Sequence, residues 1–249
     1  MTKAAWIRLA LLAAAIGGLE GACRAGWLPR TAIIPPTEMA AGGWRAVASG
    51  ELNEDMAQTF SVVAIAIMVS LAGGFLVGFA IHGRPRLRRA LDPFLGAYYA
   101  IPHFAFYPLL IVLFGLGPGP LIALAVMFGV VAMIVATMNG LDRVPRVLGK
   151  TAQVMRLTGT DELWRVRLPA ALPHLFAGVK LAIAYSFIGV IAGEFILSTK
   201  GIGHAIAFAY DNFDARSMYG LILFVLLLVA SVNLTLHTVE QRLIQRRSR

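Results

Sequence analysis

The stretch KTAQVMRLTGTDELWRVRLPAALP, residues 150–173, interrupts a chain that is otherwise strongly apolar. It is rich in charged and polar groups and ends in two prolines, Pro169 and Pro173. Of the 249 residues of the whole chain, 58% are hydrophobic and 14% are charged, and the mean hydropathy is +0.74. Soluble domains carry about a quarter charged residues, so this composition predicts an integral membrane protein.

Six apolar segments are long enough, or nearly so, to cross a bilayer, since a helix needs about 20 residues for a core of about 30 Å. They are residues 5–20, 59–81, 94–116, 119–138, 171–198 and 217–238. Only GLGPGP, residues 115–120, separates the third from the fourth, which predicts a tight turn in a helical hairpin. We predict an all-α, polytopic membrane protein with about six transmembrane helices in a single domain, residues 1–249.

The first of these segments has a second interpretation. Lys3 and Arg8 precede the apolar run, which is the layout of a signal peptide. An uncleaved first helix is favoured, because the rest of the chain is plainly polytopic.

The basic residues lie in clusters between the apolar segments. With the amino terminus in the cytoplasm, 16 of the 22 Lys and Arg residues fall in cytoplasmic stretches, as the positive-inside rule requires. Both termini and the stretch 150–173 are therefore predicted to be cytoplasmic. The long segment 20–58 lies on the other side, and its prolines predict an extended crossing followed by a short surface helix. The net charge of +9 is read as a topology signal and not as a nucleic-acid surface.

Several kinds of site are not expected. The single cysteine, Cys23, excludes a disulfide within the chain and any Cys/His zinc box. The histidines lack metal-ligand spacing, and GLGPGP lacks the lysine of a phosphate-binding loop. We predict no catalytic residue, no metal and no cofactor in this chain.

The polar segment around residues 150–173 divides into two parts. Residues 147–157 have helical periodicity, with an apolar face and a polar face. The apolar face holds Val147, Leu148, Thr151, Val154 and Met155, and the polar side holds Lys150, Gln153 and Arg156. Thr160 or Asp161 is expected to cap a second short helix, and both prolines are expected in the first turn of the next span. Contact with anionic lipid and docking to a protein both fit this pattern.

The same stretch resembles the cytoplasmic "EAA" loop of permease subunits of bacterial binding-protein-dependent ABC importers. That pattern is E-A-A, three residues, G, nine residues, I, one residue, L-P. Counting back from Leu168 and Pro169 places Val166 on the hydrophobic position, Arg156 on the glycine, and Lys150, Thr151 and Ala152 on the E-A-A triplet. The spacing is kept, while Lys150 stands in place of the acid and Arg156 in place of the glycine.

Two further segments strengthen the resemblance. DPFLGAYYAIPHFAFYPLLIVLFGLG, residues 92–117, looks like the family's basic loop and third span. LPAALPHLFAGVKLAIAYSFIGVIAGEFILSTKGIG, residues 168–203, is similar to the fifth span of the branch that handles nitrate, sulfonates, taurine and some pyrimidine vitamin precursors. The start of the second span lacks the arginine that the family often has there.

The resemblance implies a type I importer permease (MetI-like) fold in the bacterial inner membrane. Two permease copies, expected here as a homodimer, would pair around a central path, with ABC ATPase subunits binding ATP and a periplasmic or lipid-anchored binding protein delivering the solute. The coupling loop would be residues 142–169, in contact with the ATPase. Its contact residues would be Lys150, Thr151, Ala152, Gln153, Val154, Met155, Arg156, Leu157, Val166, Leu168 and Pro169. Sulfonate, taurine or nitrate is the expected solute class, and a pyrimidine, thiamine-precursor or riboflavin-like heterocycle is the alternative.

Two residues at membrane depth are candidates for the path or its gate. Glu194 is a carboxylate well inside the fifth predicted span, where a charge is expensive and usually faces a cavity or a partner. His103 lies beside Pro102, which can kink the third span, and Tyr98 is one of several nearby aromatic residues. Packing is the simpler interpretation of His103 and Tyr98, whereas for Glu194 the resemblance favours structure or gating over recognition of the solute. A passive channel and a membrane-embedded enzyme are the rival classes of function.

Overall fold

The computed structural model describes residues 3–30, 32–157 and 159–247, and this part of the chain is helical with no strand. The α-helices of the described residues are α1 (Lys3–Arg24), α2 (Pro36–Ala48), α3 (Asn53–His82), α4 (Pro85–Ala97), α5 (Tyr107–Phe114), α6 (Pro118–Asp142) and α7 (Arg146–Val154), then the three-residue α8 (Thr160–Glu162), α9 (Leu168–Leu197), α10 (Ile202–Asp211) and α11 (Ala215–Arg247). Short 3₁₀ turns occupy Tyr98–Ala100 and His103–Phe106, and a π turn, Leu163–Arg167, joins α8 to α9.

Within the described ranges, five helical stretches are long and apolar enough to cross a membrane, and a bent pair forms a sixth candidate. The five are Trp6–Arg24, Asn53–His82, Pro118–Asp142, Thr160–Leu197 and Ala215–Arg242. By length and composition, the prediction of about six membrane-spanning segments is confirmed.

The third predicted span, residues 94–116, is not one helix. Pro85–Ala100 and His103–Phe114 are bent by 88° with respect to each other. Ile101 is extended at the break, with φ −76° and ψ 128°, because a residue before proline is driven out of the helical region. Pro102 also lacks the N–H that would continue the helix. A hydropathy pattern gives the length of an apolar segment and not the direction of the helices in it. The sequence therefore predicted a kink at Pro102 but not an angle of 88°.

The turn predicted at GLGPGP is confirmed. α5 ends at Phe114 and α6 begins at Pro118. Gly115 and Gly117 have φ values of 76° and 133°, which residues other than glycine rarely adopt.

One compact unit contains the described residues up to Thr59 together with Glu194–Leu228. Within it, α2 is the short helix predicted in segment 20–58, and it packs closely on the start of α11. A Cβ on Gly43 would lie 2.6 Å from the carbonyl oxygen of Gly220. Glycine therefore permits a backbone-to-backbone approach at this crossing.

A second compact unit contains Phe60–Gly193 together with the described residues from Val229 onward. Its interior is built from α6 and α9, and one buried cluster comprises Met133, Leu141, Leu168, Ala171, Leu175 and Ala182. A partly buried ion pair between Lys180 and Glu240 joins α9 to α11 in this unit. The single permease domain expected over residues 1–249 remains a prediction.

Pro173 does not lie in the first turn of a helix, which corrects the sequence prediction. α9 begins at Leu168, so Pro169 lies in its first turn as predicted, whereas Pro173 lies inside the helix. Prolines within membrane helices are tolerated where neighbouring groups take over the lost backbone hydrogen bonds.

We expect Gly74→Ala to destabilise the protein and Gly73→Ala to be harmless. A Cβ at Gly74 would lie 2.6 Å from the Cβ of Met133 and 2.7 Å from the carbonyl oxygen of Val130, whereas Gly73 has no such neighbour within 4 Å. Overpacking costs roughly 1–3 kcal/mol, while alanine in place of helical glycine gains up to about 1 kcal/mol. Thermal unfolding of both purified variants in detergent measures the difference, and equal midpoints would contradict the close crossing.

Candidate functional site

The segment between α6 and α9, called here the loop segment (residues 142–169), contains α7, α8 and the π turn. α7 follows Pro145, whose φ of −57° suits the position before a helix. Ala152 is the buried residue of α7. The helix runs over Arg146–Val154 and so ends three residues before the predicted limit at Leu157.

The apolar side chains of α7 and its end face outward. Val154 is 84% exposed, Val147 is 69% exposed and Met155 is 66% exposed. Lys150 and Gln153 are also exposed, and the Thr151 hydroxyl donates a hydrogen bond to the Val147 carbonyl oxygen (3.0 Å). The loop segment therefore presents an apolar surface with a polar border, as the sequence periodicity predicted.

Arg156 explains why the helix stops where it does. Its φ is 54°, in the left-handed region. The Arg156 N–H donates to the Gln153 carbonyl oxygen and the Leu157 N–H donates to the Ala152 carbonyl oxygen, both at 2.9 Å. These are the two hydrogen bonds of a Schellman motif, which normally has glycine in the left-handed position. The residue that replaces the glycine of the resembled pattern thus occupies a glycine-favouring conformation.

The second half of the loop segment is held by local ion pairs. Arg167 pairs with Glu162 at 2.7 Å and Arg165 pairs with Asp161 at 3.3 Å. The residue before α8 is Gly159, with φ 54° and no side-chain cap, so the predicted capping by Thr160 or Asp161 is wrong. A left-handed glycine reverses the chain there, and no side chain is needed to start so short a helix.

The end of the loop segment is anchored in the core. Leu168 is buried against Leu141 and Ala171, while Val166 and Pro169 are half-buried. A groove of about 430 Å³ separates α7 from the start of α9. Its lining includes Leu148, Met155, Val166 and Pro169. Of the predicted contact residues, Thr151, Ala152, Met155, Val166 and Pro169 line this groove. Lys150 and Gln153 line a separate depression, and Leu168 lies in the core, so the contact role of the whole set stays a prediction.

Glu194 lies fully buried near the end of α9, facing the first turn of α10. The Gly203 N–H donates to its carboxyl group at 3.0 Å, and the Thr59 hydroxyl lies within 2.9 Å of both carboxyl oxygens. A Cβ on Gly201 would collide with the carboxyl group, so glycine is required there.

Neighbouring side chains complete this arrangement. The Ile202 N–H donates to the Thr59 hydroxyl oxygen at 2.8 Å, and the Gly201 N–H donates to Asp55 at 2.6 Å. Glu194, Thr59 and Asp55 thus accept three backbone N–H groups that have no partner inside the helix. This geometry makes Glu194 a cap for α10 and supplies no acid–base pair.

Thr59 and Asp55 were not among the predicted site residues. Glu194 and Thr59 are 135 residues apart in the chain, so no local pattern connects them. One general rule could have indicated part of this arrangement. A buried carboxyl group must accept hydrogen bonds, and the backbone N–H groups of the turn at residues 200–203 lie close to Glu194 in the sequence.

His103, Pro102 and Tyr98 lie together at the break between α4 and α5. His103 is buried, with its ring centroid 4.6 Å from that of Tyr98 and 4.9 Å from that of Phe128. The Tyr98 hydroxyl donates to the Met127 carbonyl oxygen at 3.0 Å. These contacts are those of packed side chains, and His103 and Glu194 belong to different compact units.

A metal centre is not found in the described part of the chain, where no three His, Cys, Asp or Glu residues are grouped to hold an ion.

Comparison with known proteins gives three kinds of match. Residues 70–249 match the family model described as "Binding-protein-dependent transport system inner membrane component". The taurine transport system permease protein of Escherichia coli K12 is 28% identical, over 77% of this chain and 70% of the relative. The riboflavin transport system permease protein of Chloroflexus aurantiacus is 30% identical, over 82% of this chain and 75% of the relative.

A solved structure supports the fold. The methionine ABC transporter MetNI in an inward-facing conformation matches with a TM-score of 0.67 and 18% identity, over 77% of this chain and 95% of that one. The predicted MetI-like, all-helical permease fold is confirmed.

We expect Arg156→Gly to stabilise the loop segment. A non-glycine residue in the left-handed region costs roughly 1–2 kcal/mol, which glycine avoids. Amide hydrogen exchange over residues 152–157 should slow by up to about tenfold. Gln153→Gly is the matched control, since glycine inside α7 costs about 1 kcal/mol and should accelerate exchange. Faster exchange in Arg156→Gly would contradict the Schellman geometry.

We expect Glu194→Ala to lower the thermal midpoint more than Glu194→Gln. Alanine leaves the Gly203 N–H and the Thr59 hydroxyl without an acceptor, at about 1–3 kcal/mol for each buried group. Glutamine keeps one carbonyl oxygen for them. Unfolding of the purified chain in detergent measures both variants, and an alanine variant as stable as the parent would show that the cap is dispensable.

Proposed function

Because the chain belongs to the family of binding-protein-dependent transport system inner membrane components and is a permease subunit of an ABC importer, we propose that it forms the path for a small oxyanion of the sulfonate, taurine or nitrate type. A binding protein outside the membrane delivers the solute. ABC ATPase subunits on the other side bind and hydrolyse ATP, so this chain needs no cofactor. Two copies of the chain form a homodimer in the bacterial inner membrane, with both termini in the cytoplasm.

The observation that carries the coupling role is the exposed apolar face of α7 beside the groove. Val147, Val154 and Met155 are largely exposed although they are apolar. An apolar surface with a polar border is suited to a protein groove that excludes water. The loop segment therefore docks on the ATPase, and membrane lipid contacts the other basic stretches.

The connection from α7 to the membrane is short, since α8 begins six residues after the end of α7. Helical structure is continuous from Thr160 to Leu197, and Leu168 packs into the core at its start. A displacement of α7 by the closing ATPases is therefore passed to α9, which exchanges inward and outward access. The cap that Glu194 forms on α10 has a structural or gating role in this movement and does not recognise the solute.

Lys150 gives the docking surface its particular charge. The resembled pattern has an acid at this position, and Lys150 is exposed. We propose that it faces an acidic group of the ATPase. Lys150→Glu should then weaken binding of the purified ATPase, measured by surface plasmon resonance, and stronger binding would refute the assignment.

A heterocycle such as a riboflavin-like or pyrimidine precursor is the second candidate solute, because the Chloroflexus relative is named for riboflavin. A passive channel and a membrane-embedded enzyme are the rival classes. A channel would pass solute without nucleotide, and an enzyme would consume solute without moving it.

The direct test is uptake into vesicles that contain this chain and the ATPase encoded beside it, with the binding protein outside. We expect uptake of taurine or nitrate that requires both ATP and the binding protein. Uptake without ATP would instead indicate a channel, and riboflavin uptake alone would support the second solute.

The same vesicles test the docking face. Val154→Asp should weaken ATPase binding at least about tenfold, because a buried valine contributes roughly 1.5 kcal/mol and an unpaired charge opposes burial. Gln153→Glu adds the same charge on the polar border and should have a smaller effect. Equal effects of the two variants would argue against an apolar contact at Val154.

A further inference from the structure

A cavity of about 720 Å³ lies between α4, α6 and α9, within one compact unit. Small-molecule sites usually measure about 300–1,000 Å³, so the volume suits a small ligand. The lining residues of this part of the chain run from Ala132 on α6 to Arg143, the residue that follows the end of α6, which corresponds to a length of about 16 Å. The cavity is thus elongated along the helices that form it.

Hydrogen-bond donors are concentrated at the end near α7. Asn139 and Arg143 are one helical turn apart, since the Arg143 N–H donates to the Asn139 carbonyl oxygen at 3.2 Å. His174 reaches the same end from α9, because a Cβ on Gly140 would lie 3.2 Å from the His174 Cβ. Asn139, Arg143 and His174 all line the cavity.

The positive charge of Arg143 is not neutralised by an ion pair within the described residues. The other lining arginine, Arg88, is paired with Asp142 and lies 3.9 Å from Asp92, which is the carboxylate in the lining. Two arginines and one carboxylate therefore line the cavity, so its charged lining residues carry one more positive than negative charge. Asp142 is held by Arg88 outside the lining, and the donors Asn139, Arg143 and His174 lie at the end near α7.

The rest of the cavity is different in character. Its walls carry Leu95, Val135 and Leu181. Tyr99 and Tyr185 also line the cavity, and their ring centroids are 5.2 Å apart with the ring planes tilted by 32°. These rings contact each other, so no planar ligand is sandwiched between them.

We infer that this cavity binds a small organic oxyanion, with its charged head on Arg143, Asn139 and His174 and its carbon chain along the apolar wall. Arginine and amide donors match the oxygen atoms of a sulfonate or carboxylate head. A cation is disfavoured because Arg143 is unpaired, and a large planar heterocycle finds no aromatic slot. The inference rests on the proposed transport function, and it adds a solute site inside the permease itself.

Charge selectivity can be measured at a cysteine placed in the wall. Cys23 is buried, so Ala177→Cys, which lines the cavity, provides a new reactive thiol in the assembled permease–ATPase complex. Anionic sulfonatoethyl methanethiosulfonate and cationic trimethylammonioethyl methanethiosulfonate are compared, with each rate divided by the rate on a free thiol. We expect the anionic reagent to be favoured. Arg143→Gln should lower the anion-to-cation ratio about tenfold, as expected for one charge at close range.

Arg146→Gln is the matched control, because it removes an equal charge three residues away and Arg146 does not line this cavity. It should change the ratio little. Sodium ethanesulfonate should slow the labelling in the parent complex, whereas sodium chloride at the same ionic strength should not. That protection should be lost in Arg143→Gln and in Asn139→Ala.

A preference for the cationic reagent, an unreactive thiol in Ala177→Cys, or equal effects of the two arginine variants would overturn the inference. These results do not depend on transport. ATP-driven uptake together with a cation-preferring cavity would refute the site and leave the proposed function standing. An anion-preferring cavity without ATP-driven uptake would refute the function and leave the site standing.

Discussion

A backbone N–H group that cannot reach water must find an acceptor inside the protein, and three of the described helix ends show where this chain supplies acceptors. At the start of α10 the acceptors are the side chains of Glu194, Thr59 and Asp55. At the end of α7 they are the carbonyl groups of a Schellman motif. At the break before α5, the Ile101 N–H donates a hydrogen bond to the Tyr98 carbonyl oxygen at 3.1 Å. The interruptions are therefore specific structures, each with its own hydrogen-bond partners.

This requirement separates what the sequence could predict from what it could not. Span number and helical class follow from runs of apolar residues, because a helix satisfies its own backbone and needs only length. The turn at GLGPGP was predictable because its glycines act locally. The 88° angle at Pro102 could not be read from hydropathy, which reports the length of a span and not its direction. The capping of α10 depends on Thr59, which is distant in sequence. Glu194 could thus be identified as costly, while its partner Thr59, 135 residues away, could not be named.

The loop segment departs from the resembled pattern at Arg156, which stands in the place of a glycine. Arg156 has φ 54°, a conformation that glycine adopts most easily, so the constraint at this position is on the backbone. Five of the predicted contact residues line the groove beside α7, namely Thr151, Ala152, Met155, Val166 and Pro169. Helix length was overestimated because the periodicity of residues 147–157 continues through a residue that leaves the helix.

The groove beside α7 is the observation that favours protein docking over lipid contact, the two interpretations that the periodicity of α7 left open. A helix lying on lipid would be expected to hold its basic residues level with the head groups and its apolar face in the acyl region, without a protein groove beside it. Here the groove next to α7 combines Leu148 and Met155 with Val166 and Pro169 from the start of the next span. This groove, formed by both α7 and α9, exists only if the loop segment is folded against α9. Leu141 and Leu168, at the two ends of the loop segment, pack in the same buried cluster and hold it there. A protein partner that fills this groove would therefore contact the start of α9 directly, whereas a lipid in contact with α7 alone would not.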